Sequence, residues 1–161
     1  MQDSQMTPAI LLVRKSGVPH SVLEYTHDPA STSYGREAVD ALGLDARSVF
    51  KTLVADVEGK GLVCAVVPVA AMLDLKALAE ALGGRRAKMA DQAMAERATG
   101  YVVGGISPLG QRKQLPLVLD ASALDLPQMH VSAGRRGVEL ALAPADFVKL
   151  AKAKTARIAR A

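Results

Sequence analysis

The chain has no tryptophan, only two phenylalanines and three tyrosines among 161 residues. Its core must therefore be built from Ala, Val, Leu and Ile, and so few aromatics argue against a stacking platform for bases. It has a single cysteine, Cys64, so an internal disulfide is excluded and a reducing, cytosolic setting is expected. No apolar run approaches the ~18 residues that a bilayer span needs. The N-terminal apolar stretch Ala9–Val13 precedes basic residues, the wrong order for a signal peptide, so neither export nor a membrane partner is expected. There is no Gly-x-Ser-x-Gly elbow, no Walker ending, no dinucleotide spacing and no recognisable triad. His20, His27 and His130 are scattered without metal-ligand spacing, and no metal is expected. The formal charge of +4 is compatible with a polyanionic partner but does not demand one.

What is present reads as one domain over residues 6–161, preceded by a polar, patternless extension of residues 1–5 expected to be disordered. Thr7-Pro8 is an N-cap followed by proline at the first helical position, which predicts a helix to Ser16 stopped by Gly17. A strand is expected near residues 21–26, a loop through Asp28-Pro29, and a helix over 33–42 ended by Gly43. The runs 49–57 and 62–69 flank a Glu-Gly-Lys-Gly turn and predict a hairpin. The second run is continuously apolar over 62–67, the pattern of a strand buried on both faces. Asp74 and Asp91 cap two further helices closed by Gly83 and Gly100, with a short strand at 85–88 between them. Strands at 117–119, 129–132 and 138–142 precede a last helix opened by Pro144. This irregular alternation predicts a mixed α/β fold: a mixed sheet, open or closed, with helices packed outside.

The most informative segment is Tyr101–Gly110, in which three glycines and a proline follow a strand-like apolar run. Glycine lets backbone N–H groups approach a ligand, and successive N–H groups form a nest for oxyanions, carbonyls or phosphates. Far upstream, Lys51 stands alone inside the apolar run Val49–Val54. Two readings stay open at this point. In one, the glycines make a tight turn and Lys51 is a lysine snorkelling from an exposed face. Alternatively, loop and lysine converge on one site for a polar, anionic ligand. Cys64, inside an apolar strand, reads as an inert small hydrophobe. The basic pairs Arg85-Arg86, Arg112-Lys113 and Arg135-Arg136 are ordinary solvated faces unless a polyanion lies beside them.

The sequence resembles the YbaK/EbsC family of trans-editing proteins, and within it the YbaK type. The resemblance rests on Thr7-Pro8-Ala9, the Tyr25–Ala30 and Val49–Leu53 segments, Pro68-Val69-Ala70, Leu73–Lys76, Met89-Ala90-Asp91, the Thr99–Gln111 block and Val131–Gly134. It implies a barrel-like mixed β-sheet wrapped by helices, and hydrolysis of the ester linking cysteine to tRNA(Pro). It maps the family's lysine to Lys51, its loop glycines to Gly104 and Gly105, its pocket tyrosine to Tyr25 and a pocket serine to Ser132. Tyr34 stands where the YbaK type has Phe, and Glu139 where it has Asp. The resemblance makes Lys51, Gly104 and Gly105 the catalytic candidates. It makes Tyr25, Tyr34, Thr52, Ile106, Ser107, Pro108, Ser132 and Glu139 the substrate-binding candidates; the basic pairs, each beside a predicted strand end or loop, add Arg112, Lys113, Arg135 and Arg136 as the candidate tRNA contacts. It implies no cofactor and no DNA; the partners are the tRNA(Pro) acceptor end and, transiently, prolyl-tRNA synthetase. Two competing readings are a deacylase for another small residue, such as Ala-tRNA(Pro), and a non-catalytic module that binds tRNA or a synthetase.

Overall fold

A computed structural model describes residues 6–31 and 34–161. The expected disordered extension of residues 1–5, and the start of the second helix at residue 33, lie outside the described residues.

The capping chemistry places the helices where the sequence puts them. α1 (Pro8–Ser16) begins at Thr7, whose hydroxyl accepts from Ile10 N, and ends at Gly17 with φ 78°. α2 spans Tyr34–Leu42. α3 (Leu75–Ala81) and α4 (Gln92–Thr99) start at Asp74 and Asp91, whose carboxylates accept from Ala77 N and Met94 N. α5 (Pro144–Ala151) has proline in its first turn.

The strands are β1 (His20–Glu24), β2 (Phe50–Val57), β3 (Gly61–Pro68), β4 (Met72–Leu73), β5 (Ala87–Met89), β6 (Leu117–Asp120), β7 (Met129–Arg135), β8 (Val138–Leu142), β9 (Lys154–Ala156) and β10 (Ala159–Arg160). The expected hairpin is present, with Phe50 opposite Pro68 and Val57 opposite Gly61. β2 and β3 sit in a five-stranded sheet of order β5-β2-β3-β6-β9, which mixes antiparallel and parallel pairs. β1, β8 and β7 form an antiparallel sheet, and β10 pairs with β4. A single parallel bridge between Val49 and His130 joins the start of β2 to β7.

The fold class is thus mixed α/β, but the barrel implied by the resemblance is not formed. Among the described residues the strands make three separate sheets and none closes on itself. β4, β9, β10 and a 3-10 turn at Ala121–Asp125 had no counterpart in the sequence reading. They are two to five residues long, too short to show a period.

Two apolar cores explain the continuous run in β3. Cys64 and Val66 face one core, with α1, α5, Leu117, Leu119 and the inner side of β7–β8. Val63, Ala65 and Val67 face the other, with α3, Val118 and Ile158. Alternate side chains of one strand thus serve two cores, and each position is apolar.

Between α4 and β6 the chain runs as an irregular loop that bears on α1. At Gly110 (φ +69°) an added Cβ would lie 2.6 Å from Pro8 C and 2.7 Å from Ala9 N, both backbone atoms. Gly43 has a similar φ of +65° but open space around it. Gly110→Ala is therefore expected to destabilise the protein by about 3 kcal/mol, and Gly43→Ala by about 1 kcal/mol. Equal urea midpoints for the two variants would show that the α1 contact is not tight.

Candidate active site

The Tyr101–Gly110 loop is held at both ends. The Tyr101 hydroxyl donates to Leu109 O at 2.8 Å, and burial pushes that phenol up to about 12. Val103 N donates to Glu96 Oε2 at 2.8 Å. Gly105 N donates to Val102 O at 2.8 Å across a turn in which Gly104 has φ +97°. A positive φ at the third residue of a turn is why glycine is required there. The strand-like run Tyr101–Val103 pairs with no strand; Tyr101 is buried and Val102 is 70% exposed.

β5 pairs with β2 only at Ala55–Val57, although β2 begins at Phe50. The free length of the β2 edge opens into a cavity of about 480 Å³. α2 closes one side with Tyr34, Gly35 and Arg36, and α4 another with Gln92 and Ala95. Gly35 is needed for that approach, since a Cβ there would sit 2.7 Å from Val69 Cγ2.

This geometry brings most of the sequence candidates together. Lys51, Thr52, Tyr25, Tyr34, Gly104, Ile106, Ser132 and Glu139 all line the cavity. The lysine on the early hairpin and the later glycine turn do face one space. Gly105 does not line it, and its N–H is spent inside the turn. Ser107 and Pro108 are buried beneath the loop. Ser107 Oγ accepts from Leu109 N, and Pro108 O accepts from Gln114. Neither lines the cavity.

Arg112 and Lys113 are exposed beyond the C-terminal end of α4, away from the lining. Arg135 is exposed on the β7–β8 turn. Arg136 turns inward: it donates to His27 Nε2 at 3.1 Å and to Val103 O at 3.4 Å, and lies 3.9 Å over the Tyr34 ring. Sequence reasoning missed this partnership, and it missed Arg36 and Gln92 in the lining. The quoted Tyr25–Ala30 block contained His27, but nothing in its spacing pointed to a residue more than a hundred positions away.

The electrostatics single out two groups. Burial lowers the Lys51 ammonium below the usual lysine range. The Lys51 ammonium makes no ion pair or hydrogen bond among the described residues, while its backbone stays in the β2–β3 ladder. Burial alone raises Glu139 to about 8, which favours a neutral carboxylic acid at neutral pH. Thr52 Oγ1 is buried with no hydrogen-bond partner among the described residues. A buried hydroxyl without a partner costs free energy until a ligand supplies one. Cys64, also buried, is pushed up to about 11 and accepts from Gln111 Nε2, so it is an inert packing residue. Among the described residues no group of three or more His, Cys, Asp or Glu side chains could hold a metal ion. No helix there is long and apolar enough to cross a membrane.

The cleft in this open mixed sheet is lined mainly by apolar groups, together with the cationic side chains of Lys51 and Arg36 and the acid of Glu139, which burial keeps neutral. The chain belongs to the aminoacyl-tRNA editing domain family, which it matches over residues 27–150. It is 36% identical over 98% of its length, and 95% of theirs, to EbsC of Enterococcus faecalis, assigned as a Cys-tRNA(Pro)/Cys-tRNA(Cys) deacylase. It is 32% identical to the multifunctional Ser/Thr-tRNA deacylase ProXp-y of Escherichia coli K12 over 106 residues, 63% of this chain and 64% of that protein. A solved structure described as a candidate trans-editing enzyme for prolyl-tRNA synthetase superposes with a TM-score of 0.81 at 25% identity. That match covers 97% of this chain and 99% of the other.

Proposed function

We propose that the cavity hydrolyses the ester of a mischarged aminoacyl-tRNA, with Cys-tRNA(Pro) as the substrate. The chain is an aminoacyl-tRNA deacylase. The observation that carries this reading is the convergence of Lys51, unpaired among the described residues, with the Gly104 turn in one cleft of a family that edits aminoacyl-tRNA. A synthetase pocket separates amino acids differing by one methylene by only ~1–3 kcal/mol, so a second protein that clears the error is the physical remedy.

In this reading Lys51 holds the phosphate or sugar end of the terminal adenosine, and Thr52 gives its hydroxyl to the substrate. Tyr25, Tyr34, Ser132 and Glu139 shape the pocket around the aminoacyl group. The cysteine sulfur of the substrate is the nucleophile. As thiolate it attacks its own carbonyl carbon, a C–S bond forms and the ester C–O bond breaks; the ribose oxygen leaves with the proton that the thiol gave up, and water then opens the resulting cysteine β-thiolactone to free cysteine. The N–H of Gly104 is the loop donor available to the developing oxyanion; that of Gly105 is already engaged. This accounts for a cleft lined, among the described residues, by no Ser-His pair and by no cysteine.

The tRNA is recognised through its acceptor end, and its identity comes from prolyl-tRNA synthetase in a transient cytoplasmic complex. Deacylation of Cys-, Ala- and Ser-charged tRNA, beside an S-methylcysteinyl ester, tests the proposal. The free thiol is expected to turn over at least ~10²-fold faster than the S-methyl substrate. Equal rates would end the sulfur mechanism, and preference for Ala- or Ser-tRNA would move the substrate assignment.

A further inference from the structure

We infer that Arg136 is a positioning residue rather than a tRNA contact: its guanidinium fixes the Gly104 turn and the Tyr34 face of α2 around the cavity, through a neutral His27 oriented by Glu37. The inference stands on the geometry, and only its kinetic readout rests on the editing reading above.

A guanidinium carries N–H donors and no acceptor. The 3.1 Å contact from Arg136 Nη1 to His27 Nε2 therefore makes Nε2 the acceptor. The ring proton then sits on Nδ1, which donates to Glu37 Oε1 at 2.7 Å. The other oxygen of Glu37 accepts from Asp28 N at 2.8 Å. These two hydrogen bonds, that from His27 first, hold the Glu37 carboxyl below its usual range. The chain Asp28–Glu37–His27–Arg136 thus fixes where the guanidinium plane can lie.

That plane does two things at the cavity. One face lies 3.9 Å over the Tyr34 ring, and Nη2 donates to Val103 O at 3.4 Å. Tyr34, Val103 and Gly104 are all cavity lining. A Cβ on Gly104 would run into the guanidinium, with Nη2 2.8 Å away. One on Gly105 would lie 2.9 Å from Arg135 Cα. The two glycines therefore let the loop lie flat against the β7–β8 turn, with Arg136 as the clamp. A lysine could replace the charge but neither the plane nor the fork.

The experiment is hydrogen exchange of the Val103 and Gly105 amides in the free protein, followed by deacylation kinetics, for wild type, Arg136→Lys, Arg136→Met and His27→Leu. Exchange of those amides is expected to rise at least tenfold in all three variants, while the β2–β3 amides keep wild-type protection. In the kinetics, kcat is expected to fall by ~10–100-fold for both Arg136 variants, because a loop displaced by about an ångström misplaces the reacting groups. KM and the salt dependence of tRNA binding are expected to stay at wild-type values. The proposal is overturned if Arg136→Lys keeps wild-type exchange and kcat while Arg136→Met raises KM and reduces the salt slope by about 1, the signature of a phosphate contact. If Arg136→Met does not fold, Arg136→Lys and His27→Leu decide the same question. A wild-type protein without turnover would remove the editing reading and leave the exchange result to stand alone.

Discussion

Lys51→Ala is expected to lower kcat/KM for aminoacyl-tRNA deacylation by ~10–100-fold while leaving the fold intact. The ammonium lies half-buried in the cavity wall, with no ion pair or hydrogen bond among the described residues. Burial without a partner is a cost to the folded state, seen in its lowered pKa. Removing the charge therefore relieves a small strain on stability. In the complex the same group meets an anionic or strongly polar end of the substrate. A charge-assisted hydrogen bond in such a site is worth about 1.5–3 kcal/mol, and tenfold in rate is about 1.4 kcal/mol. Lys51→Met keeps the aliphatic stem and should lose as much as Lys51→Ala, which separates charge from packing. Single-turnover assays with pre-charged tRNA measure both. Rates within twofold of wild type in either variant would remove Lys51 from the site.

The sequence made the helix ends plain because capping is local. Thr7, Asp74 and Asp91 accept backbone N–H bonds within three residues of themselves, and Gly17 and Gly100 take the left-handed conformation just past the helix. The hairpin was legible for the same reason: its turn residues and its two apolar runs are adjacent in the chain. Closure of the sheet was not legible. It depends on pairing between separate sheets, which here is the bridge from Val49 to His130, far apart in the chain; nor does any local pattern announce that β5 stops after three residues. That early stop is also what opens the cavity, so the site arises from the feature the sequence hid.

The site itself was partly legible. The family resemblance named Lys51, Tyr25, Gly104, Ser132 and Glu139, and the fold gathers them. Two substrate-binding candidates of the longest motif lie outside the cavity lining. Ser107 and Pro108 belong to the same glycine block, yet their work is to turn the chain beneath the loop, with the Ser107 hydroxyl capping Leu109 N. Arg136 shows the opposite failure. A basic pair reads as solvent-facing or phosphate-facing, and only the fold shows that one of the two is committed to His27, Val103 and Tyr34.

Glu139→Gln is expected to stabilise the protein at alkaline pH and to flatten its stability profile. Glu139 sits in β8, opposite Ser132 of β7, and is 6% exposed. Burial raises its pKa from 4.5 to about 8. Between those values the folded state holds a proton that the unfolded state has released. Stability is therefore fully present below pH 4.5, falls as pH rises, and levels off above about 8. At about 1.4 kcal/mol per unit, the loss is bounded at about 5 kcal/mol. Glutamine keeps the shape and the neutral polarity, so the variant should match wild type near pH 5 and exceed it by several degrees in Tm at pH 9. His130, whose pKa burial lowers, acts in the other direction at acid pH and cancels in the difference between the two proteins. Thermal melts of both from pH 5 to pH 9 give the measurement. Parallel curves would mean that Glu139 does not titrate in this range and that the cavity holds a carboxylate, which would reverse the charge presented to an incoming aminoacyl group.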